Sequence, residues 1–380
     1  MIAPAKRLET VQEYYFSKKL REVGALAAAG KPIINMGIGS PDLKPATKVI
    51  EAITQSLGDA TAHKYQSYQG LPALRNAFAS FYKNKFNVTA NPENEILPLM
   101  GSKEGIMHIS MAFLNEGDKV LIPNPGYPTY TSVTKLVGAT PIFYNLDANN
   151  NWQPNFDALE ELDLTEVKIM WVNYPHMPTG ANANIDTYKK LVAFGKKHQV
   201  LIVNDNPYSF ILNDTPTSIL QIEGAKDVAL ELNSLSKTFA MAGWRVGMLF
   251  GNQKNISEVL KVKSNMDSGM FYGIQKGAIE ALNISDDWYT NQNKEYNERR
   301  NLIWELADKL DCTYDKNASG MFVWAKIPEG KKSEEVTDSI LYDKDIFITP
   351  GTVFGSQGEG YIRFSLCVPQ EKIKEAIKRF

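Results

Sequence analysis

The sequence predicts an α/β protein that has a mainly parallel central sheet between helices and a second, smaller α/β domain. Short apolar runs alternate with helical patterns through the middle of the chain, which is typical of layered α/β structure. The chain has 380 residues, more than one domain usually holds. A charged helical pattern from about 279 to 310 separates the middle from a further group of short apolar runs. We therefore expect two domains.

The individual elements follow from the same alternation. An amphipathic helix is predicted from Gly101 to about Leu114. Strands are predicted at 119–123, 140–146, 168–173, 200–205 and 228–234, then at 321–327, 346–351 and 361–366, before a closing helix at 370–379. Ligands of open α/β sheets bind beyond the carboxyl ends of strands. Asn173, Asp205 and the segment 234–237 stand at such ends.

Composition excludes several classes of function. The chain has 41 basic and 43 acidic residues, so its net charge of −2 favours neither a nucleic acid nor a membrane partner. Its four histidines show no metal-ligand spacing, and we expect no metal site. The start lacks the apolar core of a signal peptide, and no apolar run could span a bilayer. Cys312 and Cys367 suit a reducing compartment, although they could pair. We expect a cytoplasmic protein.

The most informative segment is Ser234-Leu-Ser-Lys-Thr-Phe-Ala-Met-Ala-Gly-Trp-Arg-Val-Gly247. A lysine amine that loses its proton in a shielded site can form a Schiff base with an aldehyde, and Lys237 is such a candidate. Ser234, Ser236 and Arg245 suit a phosphate, which arginine binds in bidentate fashion. A polar loop with a surface lysine is the simpler alternative. The spacing favours an aldehyde cofactor with a phosphate tail, pyridoxal 5′-phosphate (PLP).

This segment resembles the lysine signature of class I/II aminotransferases, which are fold-type I PLP enzymes. The family pattern is a serine, any residue, Ser-Lys, a short variable run and Gly-x-Arg-x-Gly. The resemblance extends over nearly the whole chain. It implies the PLP-dependent transferase fold of type I, an internal aldimine on Lys237 and a phosphate contact for Arg245. It also implies a large PLP-binding domain at 46–278 and a discontinuous small domain at 1–45 and 279–380.

Two further motifs of this family would hold the cofactor ring. Asp205 and Tyr208 match an Asp-x-x-Tyr, in which the carboxylate keeps the pyridine nitrogen protonated and the tyrosine bonds the ring 3′-oxygen. Tyr127, in Pro-Asn-Pro-Gly-Tyr-Pro, matches the aromatic residue that lies on the ring. Taken alone, Asp205 would be interpreted as a turn or helix cap, and Tyr127 as a packed tyrosine in a proline-rich turn.

The phosphate end would be completed by a helix N-terminus and by a second subunit. Gly101, Ser102 and Lys103 match the family's Gly-Ser-x before a helix, where free N–H groups attract anions, although Ser102 could simply cap that helix. Tyr65 matches a tyrosine that reaches the phosphate of the neighbouring subunit, with Tyr68 as a rival. The resemblance therefore implies a homodimer with shared active sites.

The substrate side is indicated by four residues. Arg363 matches the arginine of an Arg-x-Ser near the C-terminus, which binds the substrate α-carboxylate. Gly39 belongs to a Gly-x-x-Pro-Asp stretch whose backbone lines the same side. Asn173 begins the substrate loop, and Tyr15 matches an N-terminal residue that borders the substrate.

One position departs from the family. The loop Asn173-Tyr-Pro-His-Met-Pro-Thr-Gly180 has Met177 where the family's Asn-Pro-Thr-Gly has asparagine. A thioether cannot donate a hydrogen bond. We expect Tyr208 alone to bond the 3′-oxygen, and Arg363 to be the main carboxylate anchor, unless Met177 only packs.

The predicted function is transfer of an amino group from an L-amino acid to a 2-oxo acid, 2-oxoglutarate or pyruvate. Two alternatives remain open: a PLP-dependent C–S lyase or related β/γ-elimination enzyme, and a non-catalytic protein of this fold. The motifs are most similar to those of the alanine and LL-diaminopimelate aminotransferase branch. Alanine, methionine, aromatic amino acids and diaminopimelate all remain possible donors.

Overall fold

The structure is a computed structural model that describes residues 2–11, 13 and 15–380. Its strands are β1 (Ile34–Asn35), β2 (Ile96–Leu99), β3 (Lys119–Asn124), β4 (Thr140–Asn145), β5 (Val167–Val172), β6 (Leu201–Asp205), β7 (Ala229–Ser234), β8 (Gly247–Phe250), β9 (Thr313–Tyr314), β10 (Phe322–Lys326), β11 (Ile346–Phe347), β12 (Thr349–Pro350) and β13 (Tyr361–Ser365).

The helices alternate with these strands through the middle of the chain. They are α1 (Tyr15–Ala28), α2 (Thr47–Ser56), α3 (Pro72–Phe86), α4 (Ser102–Phe113), α5 (Pro128–Leu136), α6 (Phe156–Glu160), α7 (Ile185–His198), α8 (Leu235–Thr238), α9 (Gln253–Ser264), α10 (Tyr272–Leu282), α11 (Asp287–Lys309), α12 (Ser333–Lys344) and α13 (Gln370–Ile377). Within the described ranges, no helix is both long and apolar enough to cross a membrane.

A central sheet of seven strands carries the fold. Its order is β2-β8-β7-β6-β5-β3-β4, and β8 alone among these strands runs antiparallel to its neighbours. Trp171, Val203, Leu230 and Leu232 are fully buried, as expected of a sheet that has helices on both faces. The α/β class and the mainly parallel sheet are confirmed.

The predicted elements of the middle region are found within one or two residues, but three details differ. Strands β2 and β8 were not predicted, because each is only four residues long and β8 begins inside the lysine segment. The helical pattern at 279–310 divides between α10 and α11. The single strand predicted at 346–351 becomes β11 and β12, which pair in different sheets.

A second sheet lies in the C-terminal part of the chain. Its order is β12-β13-β10-β9, and all its pairings are antiparallel. The N-terminal segment joins this region through parallel pairing of β1 with β11. Two backbone hydrogen bonds of Met36 extend that contact, from its N–H to Phe347 and from Ser365 to its carbonyl, each 2.8 Å long. The domain boundaries at 45/46 and 278/279 stay a prediction.

A buried arginine ties the loop after β1 to α11. Arg299 donates to both carboxylate oxygens of Asp42, at 2.7 and 3.0 Å, and to the Leu366 carbonyl at 2.9 Å. Its side chain is 4% exposed, and Glu295 accepts from its Nε. Because Asp42 closely follows Gly39, this clamp fixes the loop that forms one wall of the cavity.

We expect Arg299→Met to lower the free energy of unfolding by about 3 kcal/mol, because it leaves the Asp42 carboxylate and a buried carbonyl without their donor. The matched control is Arg21→Met, which removes a well-exposed arginine from its pair with Glu13 and should leave stability unchanged. Urea unfolding of both variants measures the difference. Equal midpoints would show that the clamp contributes nothing.

Candidate active site

One cavity of about 540 Å³ opens where β5, β6 and β7 end. The predicted site residues that line it are Gly39, Ser102, Lys103, Tyr127, Asn173, Asp205, Tyr208, Ser234, Ser236, Lys237, Arg245 and Arg363. They come from parts of the sequence more than 300 residues apart. Gly101 lies beside the cavity, directly against Arg245. The structure therefore brings these groups together in one cavity, as predicted from their positions near strand ends.

Lys237 projects from α8, which begins immediately after β7. Its amine donates a hydrogen bond of 2.6 Å to the Gly39 carbonyl on the opposite wall. Burial lowers the pKa of this lysine, and the positive charges of Arg363 and Arg245 lower it further against the opposing effect of Cys367. The neutral amine is thus favoured relative to an exposed lysine, which is the form that can react as a nucleophile or accept a proton.

Asp205 is the C-terminal residue of β6 and is 5% exposed. Its Oδ2 accepts a hydrogen bond of 2.9 Å from the hydroxyl of Tyr130, and its Oδ1 is buried without a hydrogen-bond partner among the described residues. Burial raises the pKa of this carboxyl to about 7, although the Tyr130 hydrogen bond opposes the rise. An unsatisfied buried carboxylate oxygen calls for a hydrogen-bond donor, and a positively charged donor would also neutralise the buried charge.

Tyr130 was not singled out from the sequence. It lies in the first turn of α5, three residues after Tyr127, and the two rings pack edge to face with centroids 5.6 Å apart. Tyr130 is fully buried and stacks on Trp171, with ring centroids 4.9 Å apart and planes 7° apart. This packing fixes the hydroxyl that holds Asp205. The second tyrosine of the Pro-Gly-Tyr-Pro-Thr-Tyr run, three residues after the first, was the sequence feature that could have identified Tyr130.

The other end of the cavity is built by close approach of backbone and arginine. Gly101, with φ of 91°, precedes α4, and a Cβ there would collide with the guanidinium of Arg245. A Cβ on Gly247 would lie 2.7 Å from the Ser102 amide nitrogen. Burial lowers the pKa of Lys103, and the positive charge of Arg245 lowers it further. A helix N-terminus and a guanidinium therefore converge at one point, an arrangement that favours a phosphate.

A buried group of charges stands behind this phosphate-binding end. Glu104 accepts a hydrogen bond of 2.6 Å from the Met100 amide, and its other oxygen lies 3.2 Å from Nε2 of His108. Asp267 contributes a third possible metal donor, with donor atoms of all three residues within 4.8 Å. Asp267 is already paired with the buried ammonium of Lys263 at 2.7 Å. This ion pair and the Met100 contact support the loop that presents Ser102.

Arg363, in β13, occupies the substrate side of the cavity and is 4% exposed. It donates to the Gly37 carbonyl at 2.7 Å and to the thioether of Met177 at 3.4 Å. Three rings lie against its guanidinium, with centroids at 4.0 Å for Phe322, 4.6 Å for Phe354 and 5.5 Å for Phe16. The sequence analysis did not identify Phe322 or Phe354, because nothing in their local sequence links them to Arg363.

The loop that departs from the family is held by Asn173. Its amide donates to the Asp205 carbonyl at 2.5 Å and accepts from the Met177 amide at 2.8 Å. Asn173 therefore fixes the backbone on which Met177 is presented. Met177 is 6% exposed, and its sulfur faces Arg363. A direct contact of Asn173 with substrate stays a prediction.

Two predicted residues lie away from the cavity wall. Tyr65 is 90% exposed, and its role at a neighbouring subunit stays a prediction. Tyr15 packs edge-on against Phe16, with ring centroids 5.5 Å apart. Among the described residues, Phe16, Ser17 and Leu20 form the wall on that side, so of the pair Tyr15-Phe16 that resembles the family it is Phe16 that lines the cavity.

The cavity offers four features that fit PLP: an amine, a partner for the ring nitrogen, a phosphate site and a hydroxyl donor. Lys237 offers an amine whose pKa is lowered by burial, and Asp205 offers an orphaned buried oxygen for a protonated ring nitrogen. The convergence of Arg245 with the N-terminus of α4, possible because glycines occupy 101 and 247, suits the phosphate. The burial of Tyr208, at 8% exposure, raises the pKa of its hydroxyl and keeps it a hydrogen-bond donor.

Comparison with known proteins gives the same answer. The family model described as aminotransferase class I and II matches residues 31–380. The LL-diaminopimelate aminotransferases of Dehalococcoides mccartyi and Aquifex aeolicus are 39% and 40% identical to this chain. The first alignment covers 99% of this chain and 97% of the relative, and the second covers 98% and 97%. The apo structure of BacF from Bacillus subtilis superposes with a TM-score of 0.96 at 34% identity, covering 100% of this chain and 98% of BacF.

These similarities extend over essentially the full length of the chain. They confirm the resemblance, the aminotransferase activity and the PLP dependence, and none of them favours the C–S lyase alternative. The chain therefore belongs to the class I and II aminotransferase family and is a PLP-dependent enzyme.

Proposed function

We propose that this enzyme moves the amino group of an L-amino acid to a 2-oxo acid, with Lys237 as the reacting amine and proton carrier. The observation that carries this assignment is the placement of two groups in one cavity. The Lys237 amine, with its lowered pKa, and the orphaned Oδ1 of Asp205 both line it. A structural lysine would gain nothing from such burial, since desolvation disfavours its charge.

When bound, PLP supplies a conjugated ring that accepts the electrons released as the substrate Cα loses its proton. Asp205 would hold the ring nitrogen and keep it protonated. Tyr127 would lie on the ring, and Tyr208 would donate to the 3′-oxygen. Arg245, Ser102, Ser234 and Ser236 would hold the phosphate, with the amide of Lys103.

The proton transfers are assigned to one atom of the protein, Nζ of Lys237. As a free amine it would remove the proton from the substrate Cα and later deliver it to the cofactor carbon that carried the aldehyde, on the other side of the amino nitrogen. Its hydrogen bond to the Gly39 carbonyl orients the amine across the cavity. The charges of Arg245 and Arg363 oppose protonation and so favour the basic form that the reaction needs.

Arg363 would bind the α-carboxylate of the substrate. Its guanidinium is oriented by the Gly37 carbonyl and by the packed rings of Phe322 and Phe354. Met177 accepts from Arg363 but has no hydrogen to donate, so Tyr208 is left as the donor to the 3′-oxygen at this end. A preorganised arginine loses little freedom on binding, which favours a fixed position for the Cα.

The proposal includes a homodimer with shared active sites. Tyr65, Met266 and Met100 are 90%, 58% and 37% exposed. The segment before Gly70 packs on the loop at Gly269, where a Cβ would meet the Gln66 carbonyl. Exposed apolar side chains beside an active-site loop suit a protein partner. We also propose a cytoplasmic location, with which the two free thiols of Cys312 and Cys367 agree.

The first prediction concerns Lys237. In the PLP-loaded wild type, single L-amino acids should change the absorption spectrum of the cofactor, and a 2-oxo acid should restore it. Lys237→Ala should lower the rate at least about 10³-fold, because the proton carrier is lost. Lys189→Ala, on the exposed face of α7, is the control. Normal turnover by Lys237→Ala would refute the assignment, and turnover without any 2-oxo acid would indicate a lyase.

The second prediction concerns the buried carboxyl. The unfolded Asp205 titrates near pH 4, whereas its pKa in the fold is about 7. The folded state therefore retains a proton that the unfolded chain has lost, and this group destabilises the fold progressively from pH 4 to pH 7. PLP-free Asp205→Asn should be more stable than PLP-free wild type at pH 8, by about 2–4 kcal/mol, and equal to it near pH 4.

The same substitution should weaken PLP binding, because an amide cannot stabilise a protonated ring nitrogen. Thermal unfolding across pH with and without PLP measures both effects. The control is Asp157→Asn, which changes an exposed carboxylate in the first turn of α6. A wild-type apoprotein as stable as Asp205→Asn at pH 8 would contradict the raised pKa.

The third prediction tests sharing of the sites between subunits. Lys237→Ala and Tyr65→Ala subunits, each impaired alone, are mixed and allowed to exchange. If Tyr65 acts across the interface, each mixed dimer contains one site in which both residues are intact. The activity of a mixed dimer should then be about half that of the wild-type dimer. If Tyr65 acts within its own chain, no intact site forms and the mixture should stay inactive. Size-exclusion chromatography with light scattering measures the dimer itself.

A further inference from the structure

The wall of the cavity beside Arg363 is apolar and aromatic. Phe16, Phe322 and Phe354 are each at most 9% exposed and pack around the guanidinium. Leu20 and Ile38 extend the same wall. Rings this close to the proposed carboxylate anchor would surround the first side-chain atoms of any amino acid bound there.

Few charged side chains line the cavity, and contacts with other groups of the protein fix where they lie. Among the described lining residues, Asp205 is the one carboxylate, and it is held beneath the ring site by Tyr130. Lys103 lies near Arg245 at the phosphate-binding end, and Lys237 bonds Gly39. A distal ammonium group on the substrate would thus meet no carboxylate among the described residues of the aromatic wall. Burying an unpaired charge is costly, so the wall favours a neutral side chain.

From this wall we infer that the amino donor is an L-amino acid with a large apolar side chain, aromatic by preference, and that Phe16 and Phe322 determine this specificity. The inference rests on the proposed transaminase roles of Lys237 and Arg363. Aromatic pairs gain beyond simple burial, and the polarisable sulfur of Met177 also packs well against rings. LL-diaminopimelate, the substrate in the names of the relatives, would instead place a second ammonium and a second carboxylate at this wall.

The first test measures binding without reaction. Carboxylic acids that lack the amino group cannot react, so calorimetry with the PLP-loaded enzyme reports the wall alone. We expect 3-phenylpropionate to bind at least about 10-fold more tightly than propionate or glutarate, since each buried methylene is worth several-fold. Tighter binding of glutarate than of 3-phenylpropionate would overturn the inference.

The second test measures the half-reaction of the same enzyme with single donors. The kcat/KM for L-phenylalanine should be at least about 100-fold higher than that for L-alanine. It should also be higher than the kcat/KM for LL-diaminopimelate and for L-glutamate. Phe16→Ala should reduce the phenylalanine-to-alanine ratio about 10-fold, and Phe16→Leu, which keeps most of the volume, should reduce it less. Phe143→Ala, in the edge strand β4 and 49% exposed, is the matched control and should keep the wild-type ratio.

The outcomes separate this inference from the proposed function. Faster reaction of LL-diaminopimelate than of L-phenylalanine would overturn the apolar specificity and leave the transaminase roles standing. Binding of 3-phenylpropionate without any reaction of amino acids would refute the proposed role of Lys237 and support both the apolar wall and the carboxylate anchor. An unchanged phenylalanine-to-alanine ratio in both Phe16 variants would remove Phe16 as a determinant.

Discussion

The site depends on keeping one carboxylate out of water. Asp205 ends a buried strand between two others, and its Oδ2 is bound by Tyr130, whose ring is fixed on Trp171. The remaining oxygen has no hydrogen-bond partner in the described part of the chain. Such an arrangement costs folding free energy, and a protonated ring nitrogen would recover it. Under the proposed role of Asp205, binding of the cofactor would complete this interaction.

The phosphate-binding end obeys a different constraint, which is steric. Arg245 has a positive φ of 58° and reaches the backbone at Gly101, while Gly247 lies against the amide of Ser102. Side chains at either glycine would push the arginine and the helix N-terminus apart. Buried pairing behind the loop, from Glu104 to Met100 and from Lys263 to Asp267, then holds that geometry. Affinity for an anion here comes from backbone placement as much as from charge.

The sequence predicted those parts of the site that are carried by local motifs. Lys237, Asp205, Arg245 and Arg363 were found because each stands in a short sequence pattern of the family. Tyr130 was missed because its role depends on the neighbouring strand that carries Asp205. Phe322 and Phe354 were missed for the same reason, since they meet Arg363 only after the antiparallel sheet forms.

For the fold, too, the sequence predicted what local patterns determine and missed what depends on distant partners. The alternation of apolar runs and helices predicted the five strands β3 to β7. Of these, β3, β5, β6 and β7 are mostly buried, whereas β4 is a partly exposed edge strand. It failed at 346–351, where one apolar run serves two sheets, because pairing partners rather than local composition decide where a strand ends. Chain order also could not reveal that β8 runs antiparallel.

Met177 connects the cofactor side of the cavity to the aromatic wall. An asparagine there would present a polar amide between Arg363 and the ring site, whereas the thioether accepts one weak hydrogen bond and otherwise packs. With Asn173 holding the loop backbone, this substitution leaves the loop conformation supported while it removes a donor from the cavity. The carboxylate anchor is thereby surrounded by three rings and a sulfur. In such surroundings the guanidinium would attract an α-carboxylate strongly, and under the proposed specificity the remainder of the substrate would be selected by its lack of charge.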